Sequence, residues 1–391
     1  WYSVAGRPRV AVKTHWDKGT FSVTLAQSHK TCDKPFVIPL HYGLVGKNGR
    51  DLKSGTLILR EREQTFTFPK LKEKPVLSIN RALTAPVDIE ITYTPAERLH
   101  LMTYDSDLFN RYDVGQQYAL EVMTRMTQNH DLTPNADVIR ALGSYLDTPN
   151  LDKAFLARAI VLPVESDIIG RLDTVDIDTV VSVRRAMRQA FADQYADKLL
   201  QLYYDNQTPG AYSPETEPAA KRALKNVALG YLALTPHRDL VWQQYQQSDN
   251  LTDRLTALSI LIHNDMPHRD DALADFAHRY QDDDLVLNKW FLLQARAPKE
   301  SALDTVRALI NHPVFDYKNP NKVRAVIGAF GGNLIAFNRP DGAGYRFFAG
   351  QCALLDRINP KITANLLAAF ARYKKYDANR QAHAESALRE L

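Results

Sequence analysis

The chain has 391 residues, of which 45% are hydrophobic and 24% charged, and its 49 basic and 45 acidic residues give a formal net charge of +4. This length is enough for two or three domains with a large core. The near balance of charge does not favour nucleic acid or membrane surfaces, and neither is predicted as a partner. No run of about 18 apolar residues occurs, so we expect no transmembrane segment.

The first part of the chain, residues 1–97, is predicted to be an all-β domain. Short segments of alternating apolar and polar residues are separated by Gly, Pro, Asn, Asp and Lys at intervals of about 8–12 residues, which favours a sandwich. These segments are RVAVKTH, FSVTLAQ, PFVIPLHYGLV, GTLILRE, QTFTFPK, PVLSIN and VDIEITY. They indicate an immunoglobulin-like β-sandwich without the disulfide of antibody domains, since Cys32 is the only cysteine in this part.

Residues 98–391 are predicted to be helical. Apolar residues recur there with the period of an amphipathic helix, and the linkers are short and often contain Pro. The helical segments are residues 113–126, 136–146, 151–162, 179–204, 217–234, 251–264, 269–281, 285–295, 302–311, 321–330, 342–359 and 362–377. Many helices with brief linkers and no strands between them predict an α-solenoid of stacked HEAT- or armadillo-like helix pairs. The predicted fold class is therefore mainly α with an N-terminal all-β domain.

The chain begins with Trp1-Tyr2-Ser3, directly in strand-like sequence, with no initiator methionine and no signal peptide. We therefore expect it to be cut from a longer polypeptide. Its two cysteines, Cys32 and Cys352, lie far apart in the sequence. A disulfide framework is not expected, and a reducing, cytoplasmic location is favoured.

The common catalytic and metal-binding motifs are absent from this sequence. No two of the eleven histidines have the i, i+4 spacing of an H-E-x-x-H zinc helix. The closest pair, His263 and His268, is interpreted as two surface histidines around a turn. Cys32 is interpreted as an incidental exposed thiol, Cys352 as a core residue, and the run 282–284 of three aspartates as an N-cap cluster rather than a cation site. We predict no catalytic residue, no metal site and no bound cofactor in this chain.

One predicted helix carries its positive charge at an unfavourable end. In NPNKVRAVIGAFGGN, residues 319–333, Asn319 is the predicted N-cap and the glycine pair 331–332 the predicted end. Its apolar stripe consists of Val323, Val326, Ile327 and Phe330. The two cations, Lys322 and Arg324, lie in the first two turns, where the helix dipole favours anions by about 0.3–1 kcal/mol. Their placement indicates a role other than helix stability.

Several stretches taken together resemble one enzyme family. They are WYSVAGRPRVAV, LNKWFLLQA, NPNKVRAVIGAF, DGAGYRFF, INPKITANLL and ARYKKYDANRQ. In this order, and over essentially the whole chain, they resemble the C-terminal half of the bacterial aminopeptidase N branch of the M1 (gluzincin) zinc aminopeptidases. None of these motifs is a general signature, but their combination is specific.

The resemblance implies that other domains of the same polypeptide carry out catalysis, whereas this chain has a structural role. In such enzymes an N-terminal β-domain and a catalytic domain come first, and the catalytic domain holds the zinc through H-E-x-x-H and a further Glu. The sandwich is then a spacer, and the helical domain is a lid and chamber wall that admits peptides. Alone, the chain is expected to bind no zinc and to cleave nothing.

The resemblance also implies which residues line the chamber. Arg324 matches a family arginine there, and its cation would attract the C-terminal carboxylate of a peptide. Asn319 and Asn321 would cap the helix and line the wall. Asn365 stands where some relatives have an arginine, so Lys361 is the candidate for a second cation.

Two alternatives stay open at this point. Arg324 would be an ordinary surface residue if it paired with a neighbouring Asp. The whole chain would be a free-standing α-solenoid that binds peptides or serves as a scaffold, since solenoids offer extended concave surfaces. An enzyme segment should expose a large apolar patch, whereas an independent scaffold should have polar capping ends.

Overall fold

A computed structural model describes residue 1 and residues 3–391. All seven predicted strands are present in the N-terminal part. Their bounds are β1 Arg9–Asp17, β2 Thr20–Ser28, β3 Ile38–Val45, β4 Asp51–Leu59, β5 Glu63–Phe68, β6 Val76–Ile79 and β7 Asp88–Ile91. A short 3-10 helix, Arg81–Leu83, lies between the last two strands.

The strands form two sheets, with the orders β5-β2-β1-β7 and β4-β3-β6. Strand β1 runs antiparallel to β2 and parallel to β7. Alternate residues of each strand point inward, as the period of two requires, and they form one apolar core between the sheets. This core includes Val10, Phe21, Val23, Leu25, Ile38, Leu40, Leu44, Leu57 and Leu59. The predicted β-sandwich is confirmed.

From residue 95 onward the described chain is helical. The α-helices are α1 Pro95–Tyr104, α2 Leu108–Gln128, α3 Ala136–Gly143, α4 Lys153–Ala159, α5 Glu165–Arg171, α6 Ile177–Gln194, α7 Ala196–Asp205, α8 Thr216–Leu232, α9 Leu240–Gln247, α10 Leu251–His263, α11 Arg269–Arg279, α12 Asp284–Ala295, α13 Ala302–Leu309, α14 Pro320–Val323, α15 Ala329–Gly331, α16 Leu334–Phe337, α17 Ala343–Asp356, α18 Pro360–Leu366 and α19 Ala378–Arg389. A π-helical segment, Arg324–Gly328, joins α14 to α15, and 3-10 helices occupy Leu367–Phe370 and Tyr373–Lys375.

The middle helices stack in pairs, as predicted. Helix α7 contacts α8, α9 contacts α10, and α11 contacts α12. The second helices of these pairs also contact one another, α8 with α10 and α10 with α12. Contacts within a pair and then between successive pairs are the pattern of a HEAT- or armadillo-like array.

Two features of the helical part were not predicted. Helices α1, α5, α9, α16 and α19 are additional to the predicted segments. The segment 179–204, predicted as one helix, is broken at Tyr195, whose backbone has φ −117° and ψ 20°. No Gly or Pro marks this break. At the break the Tyr195 ring packs on Phe191, 5.0 Å between centroids, and Phe191 packs on Tyr231 of α8 at 4.9 Å.

The chain forms two compact units, one of residues 1–122 and 135–163 and the other of residues 123–134 and 164–391. In the first unit the sandwich packs with the first helices; Thr94 begins α1 with a capping box that includes Glu97. The division into domains at residues 97 and 98 stays a prediction. In the described part of the chain, every helix is too short or too polar to cross a bilayer.

Candidate functional site

The candidate site begins at the N-terminus of α14. The Asn319 side chain accepts a hydrogen bond from the Asn321 N–H at 2.9 Å, and Pro320 is the first helical residue. The predicted N-cap is therefore confirmed. The apolar stripe is buried as predicted, and it comprises Val323, Val326, Ile327 and Phe330. The helix ends at Gly331 and Gly332, also as predicted.

The segment Arg324–Gly328 within this helix is π-helical, a feature that was not predicted. It widens the helix directly at Arg324. Single π turns inside α-helices are frequent at functional sites. No residue type in RAVIG signals this conformation, so sequence reasoning had no means of finding it.

The two cations at the start of this helix have different environments. Lys322 is buried, and its Nζ lies 2.7 Å from Asp284 Oδ1 at the first residue of α12. The Arg324 side chain is exposed, and its Nη1 donates to the Asn321 side-chain oxygen at 3.3 Å. Among the described residues no carboxylate forms an ion pair with Arg324. Only Lys322 thus has its charge neutralised by the protein.

The aspartate run beside Lys322 acts as an N-cap, as predicted. Asp283 accepts hydrogen bonds from the N–H groups of Leu285 and Val286 at 3.0 and 3.1 Å. Asp284 neutralises Lys322 and was not predicted to do so. The run therefore contacts two helices, α12 through Asp283 and α14 through Asp284.

Arg324 borders a cavity of about 310 Å³, here named the Arg324 pocket. Its lining residues are Arg324, Gly328, Gly331, Gly332, Ile362, Asn365, Leu366 and Ala369. The fold therefore brings Arg324 and Asn365 together across 41 positions of sequence. Asn319, Asn321 and Lys361 are not among the residues that line this pocket.

A second cavity, of about 520 Å³, shares Gly331, Gly332 and Ala369 with the first. We name it the Arg296 pocket. Its other lining residues are Val164, Glu165, Ser166, Ile169, Val181, His263, Arg296, Pro298, Asn333, Leu334, Ile335, Phe337, Asn338, Arg372 and Tyr376. Sequence reasoning did not find this pocket, because its residues come from six separate stretches without a common motif.

Asn333 fixes the turn that separates the two pockets. Its side-chain N–H₂ donates to the carbonyls of Ala295 and Ala297, at 3.0 and 2.8 Å, at the end of α12. Its side-chain oxygen accepts from the first N–H groups of α16. One amide thus joins the ends of two helices. Arg296, which lies between the two carbonyls in sequence, is held beside Gly332.

Gly332 leaves the space that the Arg296 side chain occupies. A Cβ at residue 332 would lie 2.8 Å from Arg296 Nη2. Because the guanidinium is the far end of a flexible side chain, such a methyl group would displace it rather than break the fold. The guanidinium therefore lies directly over the Gly332 backbone.

The interpretation of His263 as a surface histidine is wrong. It ends α10, is half-buried, and its Nε2 lies 3.3 Å from the Leu293 carbonyl. Burial lowers the pKa of His263, and the positive charges of Arg296 and Arg188 lower it further. The imidazole is therefore neutral at pH 7. His268, in contrast, is exposed and stacks on Trp242 at 4.7 Å.

Removing the charge of Arg296 should raise the pKa of His263. We expect Arg296→Gln to move the pKa upward, because one of the cations that disfavour the imidazolium is lost. The measurement is a pH titration of the His263 ring signals by NMR. The matched control is Arg185→Gln, an exposed cation outside both pockets. An unchanged or lower pKa in Arg296→Gln would contradict the assigned proximity.

The described residues contain no group of three or more His, Cys, Asp and Glu side chains placed to hold a metal ion. Cys352 is buried, as predicted, and burial raises the pKa of its thiol to about 12. Cys32, predicted to be exposed, is partly buried against the sandwich core.

Two domain-family models match the chain. Residues 6–92 match a domain of unknown function, DUF3458, described as having an Ig-like fold, and residues 95–391 match DUF3458_C, described as ARM repeats. Both descriptions agree with the sandwich and the stacked helix pairs.

Curated relatives and a solved structure extend this comparison. The chain is 33% identical over 414 aligned positions to aminopeptidase N of Escherichia coli and 31% identical over 412 to that of Haemophilus influenzae, in both cases over 100% of its own length. It spans 48% and 47% of these relatives, about half their length. A crystal structure of Legionella pneumophila aminopeptidase A in complex with aspartic acid matches 98% of the chain and 47% of that protein, with a TM-score of 0.85 and 27% identity.

Proposed function

The chain belongs to the DUF3458 family as a counterpart of the C-terminal half of M1 aminopeptidases, and we propose that it forms the lid and substrate-chamber wall of such an enzyme. The parent reaction would be zinc-dependent removal of N-terminal residues from peptides. Residues 1–97 would be the spacer domain and residues 98–391 the wall. The proposal rests on the match to aminopeptidases over the whole chain.

The observation that carries the proposed substrate contact is the free guanidinium of Arg324. It is exposed, it has no carboxylate partner among the described residues, and it borders a pocket of suitable size. A guanidinium presents two parallel N–H donors to a carboxylate. We propose that it receives the C-terminal carboxylate of a peptide in the chamber.

The other predicted residues would support this contact. The Asn321 side-chain oxygen accepts a hydrogen bond from the Arg324 guanidinium. The Asn321 backbone N–H in turn donates to the Asn319 side-chain oxygen. Asn365 lies in the Arg324 pocket and offers an amide to the same ligand. Lys361, exposed in the first turn of α18, would add positive charge near the pocket.

The described residues do not fit a zinc ion, so no step of the reaction is assigned to this chain. Zinc would be held by the catalytic domain of the same polypeptide, which would be the principal partner. Peptides would be the second partner. A cytoplasmic location stays part of the proposal.

The alternative, a free-standing scaffold, receives no support from the comparisons. Four large apolar side chains within eleven residues are 40–48% exposed, as expected of a surface that meets another domain. They are Leu99, Tyr104, Leu108 and Phe109. Their exposure at one short stretch favours the enzyme segment.

The substrate contact can be tested by kinetics of the complete polypeptide that contains this chain. We expect Arg324→Met to raise KM about tenfold for tri-alanine, equivalent to about 1.4 kcal/mol, and to leave kcat nearly unchanged. The C-terminal amide of the same peptide should be cleaved equally by both enzymes, because it lacks the carboxylate. The control is Arg185→Met, which lies outside both pockets. Equal loss for acid and amide would refute the contact.

The proposed parent enzyme can be tested independently with an antibody against the chain. A native polypeptide well above 44.3 kDa, eluting together with zinc-dependent aminopeptidase activity, is the expected result. A 44.3 kDa product without such activity would overturn the proposal.

A further inference from the structure

The Arg296 pocket has a net excess of uncompensated positive charge. The Arg296 side chain makes no hydrogen bond or ion pair with any described residue, although it lies over the backbone of Gly332. Arg372 has one weak bond, from Nη1 to the Ser166 carbonyl at 3.3 Å. The acidic residue of the pocket, Glu165, lies 3.3 Å from Arg184, so its charge is already matched.

A further donor in this pocket has no partner. Tyr376 is 6% exposed, and its hydroxyl forms no hydrogen bond with any described residue. Tyr376 lines the cavity and its hydroxyl is not sealed from solvent, so a ligand in the cavity can reach it. Burial also raises the pKa of Tyr376, so the hydroxyl keeps its proton and remains a donor at neutral pH. The hydroxyl is therefore available to donate a hydrogen bond to a ligand in the cavity.

The backbone on both sides of Arg296 is fixed, while its side chain is exposed at the rim of the cavity. Asn333 joins the carbonyls on both sides of it to the start of α16. Gly332 has no side chain, and the Arg296 guanidinium lies where a Cβ of residue 332 would point. The neighbouring imidazole, His263, is neutral and bonded to the Leu293 carbonyl, so it adds no charge of its own.

The remaining lining is largely apolar and suits an organic ligand. It includes Val164, Ile169, Val181, Leu334, Ile335 and Phe337. A volume of about 520 Å³ lies within the range of small-molecule sites. An inorganic anion would need the donors but would leave the apolar wall without contact.

We propose that the Arg296 pocket binds a carboxylate with an apolar body, of the size of an amino acid or dipeptide. Arg296 forms the principal contact, with Arg372 and the Tyr376 hydroxyl as further donors. The site is separate from the Arg324 pocket, although both share the wall of Gly331 and Gly332. The inference rests on charge and cavity alone and does not depend on the aminopeptidase role.

Methyl NMR of the 391-residue chain distinguishes the two pockets. Ile169 and Ile335 line the Arg296 pocket, whereas Ile362 lines the Arg324 pocket. Titration with N-acetyl-leucine should shift the methyl signals of Ile169 and Ile335 in a saturable way, at lower ligand concentration than any shift of Ile362. N-acetyl-leucine amide should bind at least tenfold more weakly, because it lacks the carboxylate.

Variants identify the residues that hold the ligand. Arg296→Gln should weaken binding of N-acetyl-leucine at least tenfold, and Tyr376→Phe about threefold. Gly332→Ala, which displaces the guanidinium, should weaken binding without loss of the helical CD signal. Arg185→Gln, an exposed cation outside both pockets, is the matched control and should bind as the wild type does. Arg324→Gln should leave the shifts of Ile169 and Ile335 unchanged.

Four outcomes would overturn the proposal. The first is that Ile169 and Ile335 show no saturable shift, and the second is that the acid and the amide bind equally well. The third is that inorganic phosphate alone binds in a saturable way. The fourth is that N-acetyl-leucine shifts mainly the Ile362 signals and that Arg324→Gln abolishes its binding. The last would place the ligand in the Arg324 pocket. None of them bears on whether the chain belongs to a working aminopeptidase, which is tested by activity.

Discussion

Gly344→Ala is expected to destabilise the helical unit by about 3 kcal/mol, at the upper end of the usual cost of overpacking. A Cβ at this buried position of α17 would lie 2.3 Å from the Phe337 carbonyl oxygen and 2.4 Å from that of Ala336. Both obstacles are backbone atoms, so no side-chain rotation relieves the clash. Helix α17 would have to move away from α16, whose Phe337 lines the Arg296 pocket.

The same helix offers a matched control. Gly350 has no atom within 4 Å of an added Cβ and is exposed. Gly350→Ala should therefore stabilise the helix by about 0.5–1 kcal/mol, because alanine loses less backbone entropy on folding. Urea unfolding followed by far-UV circular dichroism measures both variants. Similar stabilities for the two would show that α16 and α17 are not as close as the structure places them.

Arg81→Met is expected to destabilise the first unit by about 3–5 kcal/mol, the usual result of removing one partner of a buried ion pair. The Arg81 side chain is 10% exposed and binds Asp51 at 2.6 Å and Asp105 at 2.9 Å. Its Nε also donates to Ser78 at 2.9 Å. The Asp105 side chain is fully buried, so without Arg81 its charge has no cationic partner in contact.

The loss of unfolding free energy in Arg81→Met should depend on pH. Burial raises the pKa of Asp105 and the charge of Arg81 lowers it, with a net upward shift. A carboxyl whose folded-state pKa is raised loses stability as pH rises from its unfolded value, near 3.8, through the folded one. Without Arg81 this pKa rises further. The difference between variant and wild type should therefore be largest at pH 7 and shrink in acid.

Unfolding in urea at pH 7 and at pH 5 measures this dependence. The matched control is Arg7→Met, which removes an exposed ion pair with Asp88, 66% and 43% exposed. It should cost at most about 1 kcal/mol at either pH. The double variant Arg81→Met/Asp105→Leu should recover part of the stability, because the isolated charge is gone. A loss equal at both pH values would contradict the assigned role of Asp105.

Local features of the fold could be predicted because they depend on neighbouring residues. The alternation of Phe21, Val23 and Leu25 determines which face of β2 is buried. The cap at Asn319 depends on residues within three positions of it. The pairing of helices followed from short linkers. The resemblance to the family gave Arg324 as a candidate substrate-binding residue. The start and the end of the helix around it were predicted correctly.

Features that join distant parts of the chain were not predictable. The pair between Lys322 and Asp284 spans 38 positions, and no pattern in either segment indicates the other. No local signal in the sequence marks the π-helical turn at Arg324, and no Gly or Pro marks the break at Tyr195. The burial of His263 depends on the Leu293 carbonyl, 30 positions away.

The sequence by itself therefore determined the strands, most of the helices, their caps and the family, because each depends on periodicity, on adjacent residues or on the order of motifs. Only the tertiary structure decided which cations remain free. Lys322 forms an ion pair with Asp284 of α12. Arg324 and Arg296 form no ion pair with any described residue and border cavities instead. The physical reason is that a cation is neutralised only if a carboxylate lies within about 4 Å of it. Which carboxylates come that close depends on how the helices stack.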